Sequence, residues 1–246
     1  MMAAFLGAVQ FLTIVPVRGK TAAPGRAALF FPLIGAILGA AGAGLYLALL
    51  DILPAALAAL GVLVFWTVAT GGLHEDALAD VSDAFGMPRS RARILTILKD
   101  SRIGAFGALA LLFSALVRWE SLTMFTLLPR PLMIAAFIAS QTVPRAAMAA
   151  LGWTSRPVGE GLGYAFCSTL STPIAVAAIL EGVAAAFACG LKAGVILAGG
   201  TYFIVRIARW TFDARIGGVT GDCIGATNQI VEIFVLLLFT CRNCIW

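Results

Sequence analysis

The sequence predicts an all-α, polytopic integral membrane protein, and three observations carry that reading. Of 246 residues, 61% are hydrophobic and only 12% charged, with a mean hydropathy of +1.00. Soluble domains carry roughly 25% charged residues, and a soluble core of this length cannot hide so much apolar side chain. The apolar runs are long, rich in Ala, Leu and Gly, and do not alternate, which favours helices over a barrel. The cationic residues gather between particular runs, as they do on the cytoplasmic side of a bilayer.

About seven stretches approach the ~20 residues that a span needs. They lie at 27–50, 53–70, 104–117, 131–151, 172–189, 191–205 and 223–240. The stretches 104–117 and 191–205 are short, and continuation through Arg118 or Arg206, or tilt, is expected to complete them. The segment 5–17 is apolar but too short to span, so a re-entrant or interfacial segment is expected there. Alternating sides put 18–26, 71–103, 152–171 and 206–222 on one face, together with Arg18, Lys20, Arg26, Arg89, Arg91, Arg93, Lys99, Arg102, Arg156, Arg206, Arg209 and Arg215. Only Arg118, Arg130, Lys192 and Arg242 fall to the other face, so the first face is read as cytoplasmic. No repeat or linker divides the chain, and 1–246 reads as one membrane-embedded domain with polar loops at 71–103 and 206–222.

Several classes drop out. The net charge of +5 and pI near 9.2 fit basic loops, and no positive patch is interleaved with aromatics, so nucleic-acid binding is discounted. Cys241 and Cys244 form a lone CxxC, which cannot complete a structural zinc site. The first residues lack a basic stretch and a small-residue cleavage site, so no cleavable leader is expected.

The basic face also collects most of the 12 acids, among them Glu75, Asp76, Asp80, Asp83, Asp100, Asp213 and Asp222. Acids hardly influence orientation, so their clustering has another cause. In Gly71-Gly72-Leu73-His74-Glu75-Asp76-Ala77-Leu78-Ala79-Asp80-Val81-Ser82-Asp83, the three aspartates recur at i, i+4 and i+7 and share one stripe of a helix. Like charges so placed repel by roughly 0.2–0.5 kcal/mol per pair in water, and more near a membrane. A hard divalent cation would relieve them, and Mg²⁺ takes carboxylates, waters and substrate phosphates. The competing reading is a solvated acidic face, but no Lys or Arg interrupts the run from Leu73 to Met87. His74, the single histidine, has Glu75 and Asp76 as acidic neighbours in sequence. It is open as a general base, a phosphate contact or a helix-start residue.

Two further clusters follow. Lys99-Asp100-Ser101-Arg102-Ile103-Gly104-Ala105-Phe106-Gly107 stands at the mouth of the third span. Lys99 and Arg102 suit phosphate oxygens and Asp100 a metal or a hydroxyl, although a basic membrane anchor would look the same. In Asp213-Ala214-Arg215-Ile216-Gly217-Gly218-Val219-Thr220-Gly221-Asp222-Cys223-Ile224-Gly225, glycines around Thr220 and Asp222 suit a tight loop with exposed amides. Asn228, Gln229 and Glu232 then enter a span. Glu232 is a functional acid, or it is paired with an arginine elsewhere.

Taken together, these motifs resemble the cobalamin synthase family. Gly72 to Asp83 is similar to its G-x-L-H-x-D-G-L-A-D-x-x-D signature, with Ala77 where the family usually has glycine. Leu98 to Gly107 resembles its second motif. Thr220-Gly221-Asp222-Cys223-Ile224-Gly225-Ala226 with Glu232 resembles its third, and Phe11-Leu12-Thr13-Ile14-Val15-Pro16-Val17 resembles its N-terminal F-L-T-x-x-P-V. The resemblance implies an Mg²⁺-dependent ribazoletransferase of the bacterial inner membrane, with its site facing the cytoplasm. Such enzymes join adenosylcobinamide-GDP to α-ribazole or its 5′-phosphate and release GMP. Their partners would be those substrates and the lipid bilayer, and a homo-oligomer is compatible. On this reading Asp76, Asp80, Asp83 and Asp222 hold metal, and Lys99 and Arg102 clamp phosphate. Thr220, Gly221, Asn228 and Glu232 contact substrate, and Asp100 or His74 takes the proton. The alternatives are another Mg²⁺-dependent membrane phosphotransferase, of the CDP-alcohol type, and a cation-coupled transporter.

Overall fold

The structure is a computed structural model that describes residues 1–241; Arg242 and the Cys244 half of the CxxC pair lie outside them. Among the described residues it is helical throughout, with a single isolated bridge between Pro157 and Val219. Helix α1 (Met2–Leu12) is too short to span, as expected for the first apolar segment. α2 (Pro24–Ala27) opens on a proline that needs no helical donor, and runs through a 3₁₀ turn into α3 (Phe31–Leu50). Together they make one apolar span, Pro24–Leu50.

α4 (Ala55–Thr70) ends at Gly71 and Gly72, whose φ values of 66° and 69° place two successive residues in the left-handed region. That turn suits glycine and re-aims the chain, so α5 (Leu73–Phe85) leaves at 87° to α4. α6 (Arg91–Ile97) begins at Ser90, which accepts a bond from the Arg93 amide at 3.4 Å. The segment 71–103, expected as a loop, is therefore mostly helix, and two of its arginines, Arg89 and Arg91, serve as C-caps. Arg91 Nε donates to the Ile216 carbonyl at 2.8 Å, and Arg89 donates to the carbonyls of Asp83 and Ala84.

The remaining helices are α7 (Ala105–Met124), α8 (Arg130–Thr154), α9 (Leu162–Thr169), α10 (Thr172–Phe187), α11 (Leu191–Ile216) and α12 (Gly221–Thr240). Each expected span coincides with one of them, with α3 or with α4. Five spans are long and apolar enough on their own, and the bent pairs α4–α5 and α9–α10 raise the number to seven. The two short stretches are completed as expected: α7 continues through Arg118, and α11 runs through Arg206 to Ile216, absorbing half of the second expected loop. One placement is corrected. Arg118 does not mark the opposite face; it is 4% exposed inside the bundle.

α8 and α12 form the buried centre, while α7 and α11 turn Leu112, Phe113, Leu116, Phe203, Ile207 and Trp210 outward, as lipid-facing helices do. Two aromatic donors inside the bundle find backbone carbonyls, as a medium without water favours. Trp66 Nε1 donates to the Leu38 carbonyl at 3.0 Å and Tyr46 Oη to that of Leu122 at 2.8 Å. The tightest seam joins α3 and α8: a Cβ on Gly35 would collide with the Gln141 carbonyl, a backbone atom that cannot swing aside. Gly44, on the same helix, has open space around it. Gly35→Ala is therefore expected to destabilise the detergent-solubilised protein by about 1–3 kcal/mol, the usual cost of overpacking. Gly44→Ala is expected to be neutral or to add up to ~1 kcal/mol of helix propensity. Thermal unfolding of the two variants side by side checks this, and equal melting would contradict the α3–α8 seam.

Candidate active site

The first and third motifs meet because α5 packs along α12. The contact is close: a Cβ on Gly225 would stand 2.6 Å from the Ala77 Cβ. The glycine thus lies on α12, and Ala77 fills the place where the motif usually has none. Thr220 caps α12, accepting from the Cys223 amide at 3.4 Å. Above this seam opens a cavity of about 440 Å³. His74, Asp76, Lys99, Glu160, Thr220, Gly221 and Asp222 supply its polar lining, and Phe11, Leu73, Leu95, Leu98, Met148 and Phe166 its apolar walls. Six candidate residues, from all three motifs, therefore share one cavity, and Phe11 of the N-terminal motif helps to close it.

The other candidates lie around it. Asp80 stands outside the lining, in the field of Asp76, Asp222 and Asp83. Asp83 has a different local task. Its Oδ2 accepts from the Gly104 amide at 2.7 Å and its Oδ1 from the Gly107 amide at 2.9 Å, which caps α7 and places an anion at the positive end of its dipole. A Cβ on either glycine would collide with that carboxylate, so Asp83, Gly104 and Gly107 form one device spanning two motifs.

Asp100 and Arg102 form a two-point ion pair on the surface, Nε to Oδ1 at 2.9 Å and Nη2 to Oδ2 at 2.7 Å. Hydrogen bonds from Arg102 pull the Asp100 carboxyl down to about 2. Both oxygens of the carboxylate are thereby engaged. Lys99, Asp100 and Arg102 line an open depression beside the cavity, and Lys99 belongs to both.

Beneath the cavity lies a buried charge network. Arg118 Nη1 meets Glu75 Oε1 at 2.8 Å and Nη2 meets Glu232 Oε1 at 2.8 Å. The Gln229 amide, oriented by its partners, accepts from Arg118 Nη1 at 2.9 Å. Thr67 Oγ1 donates to Glu75 at 3.3 Å. Arg145, 1% exposed, donates to the Gln141 side chain at 2.7 Å. The pairing alternative for Glu232 thus describes its position: with Asn228 it lies in the bundle below the cavity, not in the cavity lining. His74 joins the two layers. It lines the cavity, is 2% exposed, and neither ring nitrogen has a partner among the described residues. The charges bearing on it are those of Arg145 and Arg118, not those of its acidic sequence neighbours.

Two features escaped the sequence reading. Glu160 reaches the cavity from the segment 156–161, which is pinned to the α11–α12 turn by Val158 N to Val219 O and Val219 N to Arg156 O, both 2.8 Å. The flanking glycines of Gly159-Glu160-Gly161 were its signal. Arg145 is a charge inside an apolar helix, a signal in its own right.

No three acids, histidines or cysteines converge as a ready-made metal cage among the described residues. Asp76 and Asp222 nevertheless face the same cavity from two helices. Mg²⁺ is commonly held by one or two carboxylates, with waters and substrate phosphates completing its shell, and this donor set fits that habit.

Comparison with known proteins agrees with the motifs. The family described as Cobalamin-5-phosphate synthase matches residues 4–240. An adenosylcobinamide-GDP ribazoletransferase of Clostridium tetani is 32% identical over 242 residues, covering 96% of this chain and 95% of its own. That of Clostridium botulinum is 33% identical, covering 95% and 96%, and that of Ralstonia pickettii is 35% identical, covering 93% and 91%. No solved structure matches the chain. With three motifs meeting at one cavity and a match over nearly the whole length, this chain belongs to the cobalamin-5-phosphate synthase family.

Proposed function

We propose that the chain performs the reaction named for its relatives, joining adenosylcobinamide-GDP to α-ribazole or its 5′-phosphate, at the cavity between α5 and α12 on the cytoplasmic side of the inner membrane. The observation that carries this reading is the meeting of Asp76, Lys99 and Asp222, one residue from each motif, in a single cavity. The cytoplasmic placement rests on the excess of cations around that cavity.

In this reaction a ribose hydroxyl oxygen bonds to the cobinamide-side phosphorus. The bond from that phosphorus to the oxygen of GMP breaks, GMP keeps the electron pair, and the hydroxyl proton must go to a base. His74 is favoured over Asp100 for that proton on geometry: it faces the cavity and neither ring nitrogen has a partner among the described residues, whereas both Asp100 oxygens are bonded to Arg102. Lys99 and Arg102 supply charge to the pyrophosphate from the cavity edge. Asp76 and Asp222 would hold Mg²⁺, with Asp80 adding negative potential behind them and Asp83 fixing the segment that carries Lys99 and Arg102. What Mg²⁺ supplies there is neutralisation of phosphate charge as it shifts toward the leaving group. Thr220 and Gly221, at the start of α12, suit a phosphate or ribose oxygen. The apolar walls suit the aromatic base of the acceptor. Glu75 and Glu232 are held by Arg118, which leaves them poorly placed as the ion sites of a transporter.

Purified protein given adenosylcobinamide-GDP, α-ribazole 5′-phosphate and Mg²⁺ is expected to release GMP, and to stop when Mg²⁺ is chelated. Asp76→Asn and Asp222→Asn are each expected to lose at least ~100-fold in turnover, the scale for removing a key electrostatic group. Near-normal turnover in both at limiting Mg²⁺ would sink the metal assignment. Arg102→Lys keeps the charge and loses the two-point geometry, so kcat is expected to fall and KM for the nucleotide substrate to rise. If both constants stay unchanged, Arg102 is a surface anchor and leaves the site.

A further inference from the structure

The geometry points to a lipid site on the membrane-facing side of the bundle: a cleft between α8, α10 and α11 that takes one acyl chain of an anionic phospholipid, with its phosphate held by Arg206. The cleft shares no lining residue with the active-site cavity and encloses about 380 Å³. That volume falls in the range of roughly 300–1,000 Å³ typical of small-ligand sites.

Small side chains keep it open. α8 and α10 touch so closely that a Cβ on Gly182 would collide with Ala146, while Ala147, Ala150 and Ala198 are too short to fill the space on the α11 side. The cleft has a direction. Its lining runs from Val143 to Thr154 on α8 and from Ala198 to Arg206 on α11. At 1.5 Å per residue these stretches are about 16 Å and about 12 Å long. That is close to half of a ~30 Å hydrocarbon core, the depth of one leaflet. The polar groups collect at one end. Trp153, Thr154 and Arg206 stand where α8 finishes and where α11 approaches the active-site face, whereas Val143, Ala186 and Ala198 line the deep end. A phospholipid has the same polarity, and Trp153 and Tyr202 match the aromatic residues found at a headgroup boundary.

Charge selects the headgroup. Arg206 is exposed, and no carboxylate pairs with it among the described residues; one turn further along, Arg209 is met by Asp213 at 3.4 Å. A lone guanidinium at the mouth of an apolar cleft attracts a phosphate, as basic residues beside a membrane attract anionic lipids. A second polar atom is also left over. Thr201 Oγ1 is buried in the lining with no hydrogen-bond partner, five residues deeper than Arg206. It can donate to an ester carbonyl of the same lipid. Free phosphate would satisfy Arg206 and leave the cleft empty.

The test uses full-length protein purified from bacterial membranes in mild detergent. Native mass spectrometry is expected to find one anionic phospholipid retained per chain. After delipidation, phosphatidylglycerol is expected to rebind and phosphatidylcholine not to. Arg206→Gln, at an exposed position that folding tolerates, should weaken phosphatidylglycerol binding roughly five-fold, the scale of one cation against an anionic lipid. Ala198→Phe should fill the cleft and abolish phosphatidylglycerol binding. Equal binding of both lipids with a silent Arg206→Gln would overturn the proposal. So would a silent Ala198→Phe, which would leave only surface attraction. A lipid-free homodimer cross-linked through Tyr202 would give the cleft to a second copy and overturn it as well.

Discussion

Arg118 sits inside a membrane-spanning helix and reaches two carboxylates on two other elements, Glu75 on α5 and Glu232 on α12. An isolated guanidinium at such a depth would be costly, and so would either acid alone. Bound together, with Gln229 and Thr67 completing the bonds and Arg145 nearby, the two cations and two anions balance. The apolar surfaces of α5, α7 and α12 could slide past one another in several registers. The ion pairs admit one, because any slip leaves a buried charge without its partner.

The active-site geometry inherits that register. Asp76 follows Glu75 by one residue, and Asp222 starts the helix that carries Glu232. Fixing the buried acids therefore fixes the acids that face water, on opposite walls of one cavity. Asp83 extends the constraint to the second motif by seating the first turn of α7 through the Gly104 and Gly107 amides. Lys99 and Arg102 lie just upstream of that turn, so the cationic edge is placed by the same helix whose interior holds Arg118. Repulsion among Asp76, Asp80 and Asp222 is the cost of bringing the motifs together, and a cation and phosphates would relieve it.

The spans were legible because hydropathy alone decides them: seven apolar runs became seven helices or helix pairs. The motif acids were legible because their helical spacing survives in α5. What could not be read was the turn at Gly71 and Gly72, since two glycines announce a break without giving its direction. The burial of Arg118 was hidden for a related reason. A cation near the end of an apparently short span looks like a boundary residue until the helix is seen to continue to Met124. Glu232 carried both of its possible meanings in the sequence, and only the position of α7 separated them. Asp83 belonged to an evenly spaced acidic stripe, and nothing in that stripe distinguishes the acid that caps a neighbouring helix from those facing the cavity. Glu160 was missed because no periodicity marks a loop residue brought in by a two-bond bridge.

The central claim is that the Arg118 network holds the site without taking part in its chemistry. A comparison of Arg118→Met with the charge-balanced Arg118→Met/Glu75→Gln protein, measuring unfolding and Mg²⁺-dependent GMP release together, tests it most directly. The single variant leaves buried acids unpaired and should lose about 3–5 kcal/mol of stability, with turnover falling alongside. The double variant keeps Arg145 and Glu232 as the remaining opposite charges, and it should recover much of both. A double variant that melts like the unaltered protein yet releases GMP no faster than Arg118→Met would show that these charges act in the reaction itself, and would contradict the account.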